Sequence, residues 1–133
     1  GSGVGAVDIN NDGFLDLFFT NRTFYTGEQQ ITESGRNYLL QNRGNDNNWI
    51  KIELRGNRSN ADGYGAKVKV VTGDLTQHRE HNSAHGYNSA SDLRLHFGLA
   101  EAEQIDLIEI SWPSGLVQQL ANVAVNQTLS IKE

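Results

Sequence analysis

The nine residues Asp8-Ile9-Asn10-Asn11-Asp12-Gly13-Phe14-Leu15-Asp16 constrain this chain more than any other stretch. Oxygen-bearing side chains recur at every second position, a glycine follows, and a last carboxylate closes the run. Three carboxylates held this close repel one another unless something neutralises them. A hard cation such as Ca²⁺ takes about six to eight oxygen ligands, and a short segment supplies them only by curling around the ion. Alternate side chains then point inward, and Gly13 takes the sharp turn that a Cβ resists. Asp8, Asn10 and Asp12 are expected to ligate through their side chains. Phe14 would add its backbone carbonyl, and Asp16 would close the shell directly or through water. The alternative is an Asx-rich hairpin turn that holds no metal.

The flanks say what the loop connects. Val4 to Val7 and Leu15 to Phe19 are short, apolar and rich in β-formers, so they read as strands. An EF-hand loop lies between helices and needs a bidentate Glu at its twelfth position; here that position is Phe19. A calcium loop between two strands resembles the FG-GAP (VCBS-type) repeat of extracellular β-propellers. The approach Gly3-Val4-Gly5-Ala6-Val7-Asp8 and the exit Leu15-Asp16-Leu17-Phe18-Phe19 carry the resemblance, and the strand Asn37 to Asn42 continues it. Residues 1–45 thus look like most of one propeller blade, and the resemblance implies Ca²⁺ as the bound ion. One blade cannot bury both faces alone. It is expected to pack on the rest of the chain or to pair with a second copy as a homodimer.

From Trp49 onward the pattern is strict alternation. Ile50, Ile52 and Leu54 alternate with Lys51, Glu53 and Arg55; Ala66, Val68 and Val70 with Lys67 and Lys69; Leu93, Leu95, Phe97 and Leu99 with Arg94, His96 and Gly98. Period two marks half-buried strands. Further strands are expected at Ile105 to Trp112, at Leu116 to Leu120 beyond the turn Pro113-Ser114-Gly115, and around Leu129 and Ile131. Thr76 to His81 is polar and reads as an edge strand, Ala100 to Gln104 as one helical turn, and Arg22 to Arg36 as a polar rim loop. The fold class is all-β: a β-sandwich-like domain at 46–133 preceded by a propeller-blade-like calcium hairpin at 1–45.

The second part resembles the ASPIC/UnbV domain. The matching residues are Leu54-x-Gly56, Ser59-Asn60-x-Asp62-Gly63-x-Gly65-Ala66-x-Val68, Gln77-x-Arg79-Glu80, Gly86-Tyr87-x-Ser89, Arg94 to Leu99, Trp112 to Gly115 and Asn126-Gln127-x-Leu129. They run in order across about residues 48–133. Asn82-Ser83-Ala84-His85 stands where the family has a glycine-rich stretch. The resemblance implies a C-terminal part of a larger propeller protein, extracellular or on a cell surface.

Composition excludes several classes. A net charge of −5 argues against nucleic acid, which wants a basic patch. With no Cys there is neither a disulfide framework nor a thiolate zinc site. No apolar run reaches the length of a membrane-spanning helix, and no signal peptide is visible. The first residue is Gly1, not Met, which implies processing or excision from something longer.

Other candidate sites have bland readings that compete. His78, His81, His85 and His96 offer imidazoles for zinc or nickel, but His78 and His81 have opposite parity on an extended strand. Exposed or turn-capping histidines are expected. Ser114 lacks a G-x-S-x-G elbow, and Glu101, Glu103, Asp106 and Glu109 are the carboxylates available for glycoside hydrolysis. Asn60-Ala61-Asp62-Gly63 is either a second cation loop or a turn that caps itself. Tyr64, Tyr87 and Trp112 are candidates for sugar stacking, with Trp112 better suited to packing. The expected function is a non-catalytic, extracellular calcium-binding module for adhesion or protein recognition, its ligand a protein or a glycan. A carbohydrate-binding module is the alternative, and a metal-dependent enzyme the third class.

Overall fold

The computed structural model of the chain describes residues 3–21, 35–83 and 92–133. Expectations for most of the Arg22 to Arg36 connection, for His85, and for Gly86, Tyr87 and Ser89 lie outside the described residues. Within them the chain is all-β, with ten strands and no helix. It divides into two compact units: residues 1–44 with 84–92, and residues 45–83 with 93–133.

The first unit contains one antiparallel sheet. Strands β1 (Gly3–Val7), β2 (Asp16–Thr20) and β3 (Tyr38–Leu40) lie in that order. Val4 faces Phe19 and Ala6 faces Leu17 across β1 and β2, while Leu17 faces Leu40 and Phe19 faces Tyr38 across β2 and β3. Directly opposed residues share a face, so Val4, Ala6, Leu17, Phe19, Tyr38 and Leu40 form one apolar surface. Val4, Leu17, Tyr38 and Leu40 on it are exposed. Within this unit Asp92 N–H donates to the Ala6 carbonyl at 3.0 Å.

The second unit is a sandwich of two sheets. One has the order β10-β4-β7 and the other β6-β5-β8-β9. The strands are β4 (Asn48–Arg55), β5 (Lys67–Thr72), β6 (Leu75–Glu80), β7 (Leu95–Ala100), β8 (Gln104–Ser111), β9 (Val117–Ala124) and β10 (Gln127–Lys132). The alternating apolar residues meet between the sheets: Ile50, Ile52 and Leu54 from β4, Val68 and Val70 from β5, Phe97 and Leu99 from β7, and Ile108 and Ile110 from β8 are all buried. Strand β6 is polar and exposed at one edge, as its composition requires. Gln77 Nε2 on it donates to the Gly98 carbonyl of β7 at 2.7 Å, tying the edges of the two sheets.

Strand β10 pairs with β4 in parallel, Leu129 opposite Ile52 and Ile131 opposite Leu54. Only Val125 and Asn126 separate β10 from β9, so the chain crosses from one sheet to the other in two residues. Asn126 makes that corner in the left-handed region, φ 57°, which Asn tolerates better than most residues. Its N–H donates to the Trp49 carbonyl at 2.7 Å, its Oδ1 accepts from Trp49 N–H, and its Nδ2 donates to Asn48 Oδ1.

Three expectations need correction. The helical turn at Ala100 to Gln104 is a reverse turn, with Ala102 N–H donating to the Leu99 carbonyl. Ala100 sits at φ 50°, incompatible with a right-handed helix, and β8 already begins at Gln104. Leu93 lies ahead of β7 and is half exposed instead of continuing the alternation.

The third correction concerns His81, which is buried instead of exposed. It stacks on Tyr64 with ring centroids 5.0 Å apart and planes 11° from parallel. Its N–H donates to the Ala66 carbonyl and its carbonyl accepts from Gly65 N–H. His78, two positions inside β6, is exposed. His81→Ala is therefore expected to destabilise by about 1–3 kcal/mol and His78→Ala by less than about 0.5 kcal/mol. Urea unfolding of the two variants checks this, and equal midpoints would contradict it.

Candidate metal centre

The Asp8–Asp16 loop connects β1 to β2, and its carboxylates organise it. Asp8 and Asp16 are each only 2% exposed. Asp8 Oδ1 accepts from Asp12 N–H at 3.1 Å and its Oδ2 from Gly13 N–H at 2.8 Å. Asp16 Oδ2 accepts from Ile9 N–H at 3.1 Å, and its Oδ1 accepts from Asn42 N–H at 2.8 Å. Asp12 Oδ1 accepts from Phe14 N–H at 2.9 Å, and its Oδ2 from Asn10 Nδ2 at 2.8 Å. Asn10 Oδ1 accepts from Asp12 N–H. The chain reverses through Asn11 at φ 58° and Gly13 at φ 97°, and the latter value belongs to glycine.

The spacing thus produces a curled loop in which Asp8, Asn10, Asp12 and Asp16 each accept backbone N–H groups; Asp8 and Asp16 are buried, Asn10 and Asp12 exposed. Asn42 closes it from the segment after β3. Its N–H holds Asp16, its Nδ2 donates to the Leu15 carbonyl, and its Oδ1 accepts from Gly44 N–H. Asn42 was legible only as part of a strand signal, because its role depends on a partner 26 residues away. Among the described residues no three His, Asp or Glu side chains group tightly enough to hold a metal by themselves. The donor chemistry nevertheless fits a hard cation: Asp8, Asn10, Asp12, Asp16 and the Phe14 carbonyl are all oxygen donors. A carboxylate oxygen carries two lone pairs, so accepting one N–H does not bar it from facing a cation.

The other candidates have structural occupations. Asn60 spends both ends of its amide on Tyr64, accepting from its N–H and donating to its carbonyl, each at 2.8 Å. Gly63 N–H donates to the Asn60 carbonyl. Asp62 lines a shallow recess with Glu53, Leu54, Arg55, His81 and Leu93. Trp112 is buried, and its Nε1 donates to Gln118 Oε1 at 2.6 Å. Asp106 Oδ2 accepts from Gly73 N–H at 2.7 Å. Glu109 accepts from Gln119 Nε2 and from Lys69 Nζ. The Gln119 bond first, then Lys69, holds the Glu109 carboxyl below its ordinary value, the opposite of what a general acid needs.

Ser114 lies far from any hydrolytic arrangement: its hydroxyl donates to Glu133. Glu133 collects five donors. Its Oε2 accepts from the consecutive N–H groups of Asn57, Arg58 and Ser59 at 2.9, 2.9 and 2.7 Å. Its Oε1 accepts from the hydroxyls of Ser59 and Ser114. Desolvation pushes this carboxyl up, but the Ser114 hydroxyl and the backbone N–H groups of Ser59 and Asn57 outweigh it and bring the pKa down to about 2. A carboxyl lowered on folding stabilises the fold fully above its unfolded value and stops doing so as pH falls through the folded one. The contribution of Glu133 is therefore expected to fade between pH 4.5 and about 2. Acid unfolding of parent and Glu133→Gln reads it out: their stabilities should converge over that window, and parallel curves would contradict the contact.

The family described as "ASPIC and UnbV" matches residues 56–133, a stretch that begins at the end of β4 and takes in the rest of the sandwich. Cartilage acidic protein 1 of Xenopus tropicalis is 29% identical over 134 aligned positions, covering 98% of this chain. The chain spans 19% of that protein's length.

Proposed function

This chain belongs to the ASPIC and UnbV family, and from that premise we propose that it is a non-catalytic, extracellular calcium-binding module that serves adhesion or protein recognition. The observation that carries the calcium part is the Asp8–Asp16 loop, whose buried carboxylates and left-handed Asn11 and Gly13 form a curl lined by oxygen donors. In this reading Asp8, Asn10, Asp12, Asp16 and the Phe14 carbonyl hold one Ca²⁺. The ion supplies no chemistry beyond charge: it neutralises three crowded carboxylates and pins β1 against β2.

The FG-GAP-like part of the reading rests on the strand–loop–strand motif and on the open apolar face of the β1-β2-β3 sheet. A single blade is expected to show such a face, and further sheets of a longer protein are its natural cover. The extracellular location draws on the alignment with cartilage acidic protein 1 and on a cysteine-free chain that a cation would staple. Among the described residues no helix is long and apolar enough to cross a membrane.

Calorimetric titration of the chelator-stripped protein tests the proposal. One Ca²⁺ per chain, with Mg²⁺ bound much more weakly, is the expected result, because Mg²⁺ demands a tighter octahedron. No heat and no bound ion by equilibrium dialysis at about 1 mM Ca²⁺, a concentration at which even weak extracellular modules load, would overturn it.

A further inference from the structure

The five donors gathered on Glu133 serve no strand ladder. Asn57, Arg58 and Ser59 lie in the irregular segment between β4 and β5, and three successive N–H groups turned to one point make a concave site of partial positive charge. Ser59 and Ser114 bring hydroxyls to the second oxygen from segments 55 residues apart. We propose that the Asn57–Ser59 turn, with the Ser59 and Ser114 hydroxyls, is an oxyanion-binding site that the chain keeps closed with its own Glu133 carboxylate.

Three observations make Glu133 a stopper more than a structural strut. It lies one residue beyond the end of β10. Its N–H donates to the Arg55 carbonyl at 2.9 Å, outside the β10–β4 ladder, which ends at Lys132; release of its side chain leaves that ladder intact. The surrounding surface is open: Asn57, Arg58 and Ser114 are exposed and Glu133 is only half-buried. The charges nearby also favour an incoming anion. Arg58 presents an exposed guanidinium on the same turn, while Glu53, the closest acidic residue on β4, is paired with Arg55 at 2.5 Å.

The ligand chemistry follows from the donors. Two oxygens are served, one by three N–H groups and one by two hydroxyls, all of them donors. A carboxylate, a phosphate or a sulfate group satisfies that arrangement; an amide or an ammonium does not. In the intact chain the external group must displace a tethered competitor, whose effective concentration is in the millimolar range. The site is independent of the calcium loop and stands whether or not that loop holds an ion.

The test uses amide NMR of the 133-residue chain and of Glu133→Ala, titrated with sodium acetate, phosphate and sulfate at constant ionic strength set by chloride. The expected result is a saturable, concerted shift of the Asn57, Arg58 and Ser59 amides in Glu133→Ala, at concentrations about tenfold lower than in the parent. Adding Ser114→Ala should weaken it again. A stronger response to acetate assigns a carboxylate ligand, and a stronger response to phosphate or sulfate a tetrahedral one. Folded Glu133→Ala with no shift beyond that caused by chloride would overturn the proposal, and so would equal affinity in parent and variant. If Glu133→Ala does not fold, Glu133→Gln serves: its uncharged amide holds the cradle less well, so anion binding should again exceed that of the parent, and its absence overturns the proposal.

Discussion

Trp112→Ala is expected to lower the unfolding free energy by about 3–5 kcal/mol, the range for removing a large aromatic from a packed core. Trp112 is 3% exposed and belongs to the cluster that includes Leu54, Ala66 and Ile110. The substitution also leaves Gln118 Oε1 without the indole N–H that it accepts at 2.6 Å. Collapse around the cavity is restricted, because Gly63 already packs against the ring. A Cβ built there would stand 3.1 Å from Trp112 Cζ3 and 3.1 Å from Leu54 Cβ, at φ +70°. Trp49 supplies the comparison. It is only half-buried, stacks on His96 at 6.3 Å and carries the Lys51 ammonium 5.0 Å from its ring centroid. Trp49→Ala should cost less, about 1–2 kcal/mol. Denaturant unfolding of both variants decides. A Trp112→Ala cost under about 1 kcal/mol would mean that the indole is not a core element.

Calcium should raise the melting temperature by roughly 5–15 °C. Taking a Kd of about 10 µM, inside the range of loops of this kind, about 1 mM free Ca²⁺ adds about 2.7 kcal/mol through linkage. Asp12→Ala should abolish most of the calcium-dependent shift. Asp12 also accepts from Phe14 N–H, so the variant will melt lower in chelator too. The informative quantity is the difference between melts in Ca²⁺ and in EGTA. Asn11 is the control position, since it falls between the alternating donors, but it occupies φ 58°, where Ala would add strain. Asn11→Gly avoids that penalty and should keep the full shift. Identical melting points for the parent in Ca²⁺ and EGTA would dismiss the calcium assignment.

Much of this molecule follows from local pattern. Alternation at Ile50, Ile52 and Leu54 and at Val68 and Val70 determines which residues face the core between the sheets, because side chains on a strand point to opposite faces in turn; it gave no sign that Lys51, on the other face of β4, is buried too, its ammonium 5.0 Å from the Trp49 ring centroid. Unbroken polarity marks Thr76 to His81 as an edge strand, which the structure places at Leu75–Glu80, and Trp112 packs in the core as its apolar bulk suggests. The Asp8–Asp16 spacing determines a curled loop, because Asp8, Asn10 and Asp12 capture backbone N–H groups two to five residues away, a range that local sequence controls, whereas Asp16 reaches Ile9 and, 26 residues away, Asn42. What the tertiary structure alone decided depends on partners distant in the chain. Parallel pairing of β10 with β4 is set by a corner in which Asn126 binds Trp49, 77 residues away. The polar run ending at His81 gave no sign that its last imidazole would be covered by Tyr64. The Glu133 cradle is built from segments up to 76 residues apart. No window of sequence shows that the Glu133 side-chain carboxylate, three N–H groups and two hydroxyls will meet, because the two packed sheets bring them together.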